Sequence, residues 1–400
     1  MEFDVIVIGG GPSGLSTALH LVKDFPHLLP RLLILEKAHY PRPKLCAGGL
    51  VVDAEVILQR LGLDVREVPH ADANCIRFDF EAKGLNIRFR KRHALRVIRR
   101  DEFDNWLAQK TKSRGIEIRE GVTVKNIQTL SDCAIVQTDQ GDFRARVVVG
   151  ADGSNGVTRR YILPNATVYT ARVLEIITPP HHITVNHRFV SGPLRQAPGP
   201  SAQRETDRNN TAYLDFFPVP SNIAGYVWDF PTQVNGEAKR CWGIYDTNLL
   251  AGEKRPQLKE PLAKEMRRLG FNLDDYEIKG HPIRMFSPEN QLSVPRVLLV
   301  GDAAGADPFL GEGISFALGY GALAAREIGR AFQRNDFSFK GYKWRVGSSS
   351  LGQALMVRWI LTQIVYAFKW KWFQILAWWV VKPITILIAK LFVLNWGKRL

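Results

Sequence analysis

The chain has 400 residues, 46% of them hydrophobic and 23% charged, with 54 Lys and Arg against 39 Asp and Glu for a net charge of +15. That length allows two domains, or one large domain with an insertion, and the composition excludes a disordered chain. Cys46, Cys75, Cys133 and Cys241 stand far apart with no C-x-x-C pair and the histidines show no H-x-x-x-H spacing, so neither a disulfide framework nor a metal site is expected.

Asp4 to Ile8 predicts a buried strand, with four apolar residues, all of them β-branched. Gly9-x-Gly11-x-x-Gly14 follows, with Pro12 and Ser13 inside it, and opens a helix over 15–21. The first glycine permits the tight turn, the second lets backbone approach a pyrophosphate, and the third lets helix and strand pack closely. The pyrophosphate would sit on the free N–H groups and positive dipole end of that helix. A second strand, Leu32 to Leu35, ends in Glu36, 22 residues beyond Gly14 (36 − 14), where a carboxylate can accept from a ribose hydroxyl. A chance glycine turn is the competing explanation. The strand, helix and carboxylate together point to a dinucleotide site. Because the first strand starts at once, no secretory leader is expected, and the free thiols fit a reducing cytosol.

Residues 39–50 form a Pro- and Gly-rich loop with one thiol, Cys46, and a helix is expected over 54–61. Residues 73–99 alternate as strands and carry the basic run Arg88 to His93, either a solvated face or an anion- or headgroup-binding one. Arg100 to Leu107 starts a helix with Asp101 as its cap. Short strands follow at 116–118, 122–124, 133–138 and 143–146, and a buried strand at 145–150 ends in Gly150-Ala151-Asp152-Gly153. From 165 to 285 strand alternation dominates (168–177, 212–217, 225–230, 240–245), broken by a polar Pro/Gly loop near 191–211. This predicts an antiparallel-sheet substrate domain inserted into the nucleotide-binding one. The chain then returns with a buried strand into Gly301-Asp302-Ala303-Ala304-Gly305 and a helix over 313–332.

The last 64 residues after Asp336 hold no acid, and residues 341–400 carry nine Lys/Arg and seven of the ten tryptophans. Their apolar runs, 359–368 and 372–381, are ten residues long, whereas a spanning helix needs about 20. Short helices laced with Trp and Lys suit the headgroup boundary. A helical cap over a substrate tunnel is the competing and compatible reading. With no nucleic-acid motif present, the positive charge is assigned to monotopic association with the cytoplasmic face of a membrane.

Gly9-x-Gly11-x-x-Gly14…Glu36, Gly150-Ala151-Asp152-Gly153 and Gly301-Asp302-Ala303-Ala304-Gly305, in that order, resemble the FAD-binding fold of aromatic hydroxylases, squalene epoxidases and geranylgeranyl reductases. Lys44-x-Cys46-Ala47-Gly48-Gly49, Tyr226-Val227-Trp228-Asp229-Phe230-Pro231 and Pro308-Phe309-Leu310-Gly311-Glu312-Gly313-Ile314 are similar to segments of the geranylgeranyl reductases. One departure stands in the middle motif, where Gly156 replaces the expected serine. The resemblance covers roughly the first 335 residues and implies an α/β fold, with an FAD-binding Rossmann-like domain (1–165 and 286–335) and the inserted antiparallel-sheet substrate domain (166–285); the composition of the remainder adds a C-terminal helical, membrane-associating segment (336–400). The resemblance also implies cofactor contacts from Gly9, Gly11, Pro12, Ser13, Gly14, Glu36, Lys37, Lys44, Cys46, Ala47, Gly48, Arg100, Asp152, Gly301, Asp302, Gly311, Gly313 and Ile314.

The activity so implied is saturation of double bonds in a polyprenyl lipid, with FAD as cofactor and NADPH or reduced ferredoxin as electron source. An isolated alkene is a poor hydride acceptor, so an acid must protonate it as hydride arrives. Cys46 is the candidate donor, an inert packed thiol being the alternative. Tyr226, Trp228 and Phe230 alternate along one strand and share a face, either as an aromatic wall for an isoprenoid or as ordinary sheet packing. A flavin monooxygenase or epoxidase on a similar lipid is the rival activity. Oligomeric state is left open.

Overall fold

In the computed structural model, residues 2–89, 92–164, 170–180, 210–249, 256–383, 386 and 395–400 are described. The first sheet is built on parallel strands in the order Val297–Leu299, Gly141–Gly150, Glu2–Ile8, Leu32–Glu36, Glu117–Glu120. Ser293–Val294 extends one edge, Ala134–Thr138 pairs antiparallel with Gly141–Gly150, and Val124–Thr129 pairs antiparallel with Ala134–Thr138. The stretches read as separate strands at 143–146 and 145–150 are one strand, Gly141–Gly150, because the two halves pair with different partners along one continuous extended backbone. Val5, Ile6 and Val7 are wholly buried, as expected of a parallel strand covered on both faces.

Register decides where the three glycine turns end up. Ile8 pairs with Leu35 and Gly150, and Gly150 pairs with Leu299. The turns at Gly9, Ala151 and Gly301 therefore leave the sheet side by side at its carboxyl edge, where ligands of open α/β sheets bind. Helices Pro12–Asp24 and Ile314–Arg334 pack together over this sheet. A Cβ at Gly321 would lie 2.6 Å from Ser16 Oγ, and that hydroxyl donates to Leu318 O at 2.7 Å.

A second sheet of seven strands runs Lys279–Arg284, Thr170–Thr178, Glu237–Asp246, Gly225–Val234, Thr211–Asp215, Cys75–Phe80, Lys83–Arg88. Two of its strands come from residues 75–88, far upstream of the stretch whose alternation predicted the sheet. Thr211–Asp215 pairs parallel with Cys75–Phe80, a non-local contact that alternation cannot reveal. One face is covered by helix Lys259–Arg268, whose Leu262 and Met266 meet Ile176, Val227, Trp242 and Ile244. The other face is lined with aromatics and opens onto a cavity.

Helix Arg100–Lys112 is capped at Arg99 rather than by Asp101. The Asp101 side chain pairs instead with Arg99 at 3.2 Å, leaving the helix start uncapped by any side chain. Of the basic run, Arg90 and Lys91 lie outside the described residues, as does most of the loop near 191–211. Arg92 stacks over Phe89 at 4.0 Å and faces the cavity.

The tail folds back onto the body through helices Tyr342–Ser348, Ser350–Ala367 and Lys371–Ile375. Trp396 is fully buried and stacks on Phe316 at 4.8 Å, while Gly397 N donates to Asp53 Oδ1 at 2.7 Å. Among the described residues no helix is long and apolar enough to cross a membrane.

Candidate active site

The carboxyl edge of the first sheet forms a cradle. Gly9 has φ +104°, and a Cβ there would lie 2.4 Å from Ala151 O; one at Gly14 would lie 2.0 Å from Gly9 O. These two glycines allow turn, strand and helix to touch. A Cβ at Gly11 would meet only Arg42 Nη2, at 3.7 Å, so here the backbone faces open space at a helix N-terminus. Glu36, at the end of the second strand, accepts from Gly10 N at 2.8 Å and Ala38 N at 3.0 Å. Arg42 Nη2 stands 3.4 Å from both Glu36 Oε2 and Asp104 Oδ2, and its buried Nε finds no partner among the described residues. The Tyr40 hydroxyl donates to Gly10 O and is held protonated by burial and the Glu36 charge.

The middle motif explains its own departure. Asp152 accepts from Thr158 N at 3.0 Å and from the Thr158 hydroxyl. A Cβ at Gly156 would sit 2.1 Å from the Asp152 carboxyl, so the inward turn of this carboxylate requires glycine there.

Further along, charged groups surround one thiol. Arg100 makes a two-point bond to Asp104, at 2.7 and 2.8 Å, and Asp104 is fully buried. Burial pushes the Cys46 thiol up, while the nearby Arg100 guanidinium and a bond from Gly48 N at 3.4 Å pull the other way. Lys44 Nζ lies 2.5 Å from His281 Nε2. Burial lowers both, His281 to about 4, so the imidazole is neutral and accepts from the ammonium. Asp302, which holds the Lys44 charge, shares this wall. Glu312 accepts from Ser315 N at 2.9 Å and from Ser315 Oγ at 2.5 Å, and burial pushes its carboxyl up to about 7.

A single cavity of about 1010 Å³ joins these groups to the second sheet. Its far wall is Tyr226, Trp228 and Phe230, which do share one face, with Tyr245, Leu214 and Phe78 from neighbouring strands. Gly243 lies opposite Trp228, and a Cβ there would strike the indole at 2.1 Å; the glycine lets the ring lie flat on the sheet. The tail closes this end with Leu361, Val365, Ala377 and Trp378, and Trp378 stacks on Phe216 at 4.1 Å.

The segment before Gly311 is held from three sides. Tyr245 OH donates to Pro308 O at 3.1 Å, Tyr366 OH to Phe309 O at 2.7 Å, and Tyr226 OH to Leu310 O. Arg358 of the tail helix pairs with the fully buried Asp307 at 3.1 Å.

Of the residues singled out in the sequence, all but Gly14 and Gly301 line this cavity. Gly14 packs under the turn, and Gly301 packs on Ser13, where a Cβ would meet Oγ at 2.5 Å. Arg42, Glu175, His281, Glu312 and Arg358 were not singled out. Glu312 sits inside the Pro308–Ile314 motif and Arg42 in the loop 39–50 just before Lys44, so local sequence marks the neighbourhood of both. His281 and Glu175 are isolated on strands and Arg358 on a tail helix, with no pattern to mark them.

The cradle fits FAD: an open helix N-terminus at Gly11, a carboxylate at the second strand end, and beside them Arg42, whose buried Nε has no partner among the described residues. Residues 2–319 match the FAD binding domain family. The chain belongs to that family. This FAD-binding chain is 27% identical to an uncharacterised protein of Methanosarcina barkeri, over 84% of its own length and 77% of the relative's. It is 25% identical to the digeranylgeranylglycerophospholipid reductase of Thermoplasma acidophilum, over 84% and 80%. A solved geranylgeranyl bacteriochlorophyll reductase-like protein from Thermoplasma acidophilum shares the fold with a TM-score of 0.72, covering 98% of this chain and 92% of that one at 19% identity. The protein is an FAD-dependent oxidoreductase, similar to relatives named digeranylgeranylglycerophospholipid reductase.

Proposed function

We propose that this FAD-binding protein saturates carbon–carbon double bonds of a polyprenyl lipid chain, taking that lipid from a membrane surface. The observation that carries the reading is the single cavity running from the glycine cradle, past Cys46, into an aromatic slot capped by the tail. FAD, when bound, supplies the hydride, having been recharged by NADPH or reduced ferredoxin. The glycine turns and Glu36, with Arg42 and Lys37 beside them, hold its nucleotide end. Lys44, Arg100 and Asp302, and the N–H groups of Gly311 to Ile314, stand where the ring end would lie. Tyr226, Trp228 and Phe230 present a dry surface that orders an isoprenoid and excludes water.

Cys46 donates the proton at Sγ. Burial keeps the thiol protonated at neutral pH, and the Gly48 N–H and the Arg100 guanidinium stabilise the thiolate it leaves. Removing such a donor costs about a hundredfold or more in rate.

The outer face of the tail supports delivery from lipid. All but one of the ten exposed large apolar side chains among the described residues lie between Trp344 and Val380, including Trp370 and Trp372. Lys369, Lys371 and Lys382 flank them, the arrangement suited to anionic headgroups.

The deciding experiment is anaerobic turnover of a geranylgeranyl-chain phospholipid by the FAD-loaded protein with dithionite, read by mass spectrometry. Products heavier by two hydrogens are expected, and Cys46→Ala should abolish most of them. No mass change without oxygen, or an oxygenated product when air is admitted, refutes the reading.

A further inference from the structure

Lys279, Glu175, Gly243 and Trp228 stand directly opposite one another on four neighbouring strands of the seven-stranded sheet. Cross-strand partners project from the same face, and Trp228 lines the cavity. Glu175 therefore projects from the cavity side of the sheet, in the row that holds the aromatic wall. It also meets the Cys46 loop, for the Cys46 backbone N–H is directed at its carboxyl. Its Oε2 is buried without a hydrogen-bond partner among the described residues. The charged groups facing it are Arg99 and Lys279, and its charge is felt by the thiols of Cys46 and Cys241. Burial pushes the Glu175 carboxyl up to about 7 despite both cations. At the edge of the row, the Lys279 side chain is 58% exposed.

A thiol that gives up its proton inside a dry cavity must regain one before it can act again. Arg100 cannot supply it, being held charged by Asp104. We infer that Glu175 is the proton reservoir of Cys46, returning a proton to the thiolate after each transfer and refilling from water at the Lys279 edge of the sheet. The inference rests on Cys46 being the proton donor of the proposed function. In each cycle the alkene gains a hydride and the Cys46 proton, the S–H bond breaking as C–H forms. The Glu175 O–H then breaks as S–H re-forms, and water protonates the carboxylate. Glu175 acts through Cys46 and is a positioning residue.

The test uses the FAD-loaded protein and two readouts. The first is the rate of Cys46 alkylation by iodoacetamide across pH, read by mass spectrometry of the Cys46 peptide. The wild type should show an inflection near neutrality besides that of the thiol. Glu175→Gln should lose it and shift the thiol inflection to lower pH, because a neighbouring anion is gone. Glu175→Asp, which keeps an acid on the strand, should retain it. Superimposable profiles for the wild type and Glu175→Gln overturn the inference. The second readout is turnover of the geranylgeranyl-chain phospholipid with dithionite. Glu175→Gln should keep the first turnover and slow later ones by about tenfold or more; an unchanged steady-state rate overturns the inference. If the wild type saturates no prenyl bond, the proposed function falls, while the alkylation profiles still decide whether Glu175 and Cys46 share a proton.

Discussion

The two ends of the cavity are built from different materials. At the cradle end the walls are backbone: glycines at positions 9 and 11 and a helix N-terminus, with a few charged side chains set around them. At the far end the walls are side chains, rings from three strands of one sheet and a tail helix laid across them. A backbone-built site tolerates little, since an added Cβ meets a carbonyl that cannot move. A side-chain-built slot can repack, so its failures are graded. The segment 307–313 lies between the two and is held by tyrosines from the sheet and by Tyr366 and Arg358 from the tail.

The contrast can be broken most completely at Gly9. Replacing it with valine puts a branched side chain at φ +104° and 2.4 Å from Ala151 O, so the purified protein should lose its yellow colour and about 3 kcal/mol or more of stability. Flavin absorbance and urea unfolding check both.

Arg358→Met should come next, because it strands the buried Asp307 carboxylate. A cost of about 3–5 kcal/mol is expected in urea unfolding, recovered in part by adding Asp307→Asn. If the tail were merely draped over the body, the single change would be nearly silent.

Burial of Glu312 sharpens the comparison through pH. Its carboxyl titrates near 7 in the folded protein against 4.5 as a free side chain, so the folded state binds more protons between those values. Its contribution is full below about pH 4.5 and is lost as pH rises through about 7, by up to about 3 kcal/mol. Glu312→Gln should flatten that part of the stability–pH curve.

Gly243→Ala should cost about 1–3 kcal/mol and push the Trp228 ring off the sheet, visible as a change in tryptophan fluorescence while FAD stays bound. The smallest effect is on the outer face of the tail. Trp370→Ser with Trp372→Ser should weaken cosedimentation with anionic phospholipid vesicles by about tenfold and leave stability unchanged, since both rings are more than half exposed.

The cradle was legible because its chemistry is local. A strand, a glycine turn and a helix follow one another within 24 residues, and each glycine has its own steric reason. The alternation of Tyr226, Trp228 and Phe230 likewise predicted a shared face, and they share it. The partners of that face did not announce themselves. Cys75–Phe80 joins the sheet through a parallel pairing with residues some 136 positions later (211 − 75), and such pairings leave no periodic trace. His281 reaches the cavity, and Glu175 shares its face of the sheet, only because cross-strand register puts His281 in line with Tyr245 through Val173 and Glu175 directly opposite Gly243. The tail read as a lipid-facing or capping segment, and its inner face is a cap. Asp101 was misjudged as a cap because an arginine one residue before the helix captured its carboxylate.

By itself the amino-acid sequence determined the dinucleotide cradle, the order of the glycine motifs and the shared face of Tyr226, Trp228 and Phe230, because each depends on neighbours within a few residues. Tertiary structure alone decided that three turns some 140–150 residues apart meet at one sheet edge, that a tail helix pairs Arg358 with Asp307, and that the Glu175 carboxyl faces the Cys46 backbone N–H. Those depend on strand register and on burial, which lower the local dielectric and shift proton affinities only once distant segments have packed together.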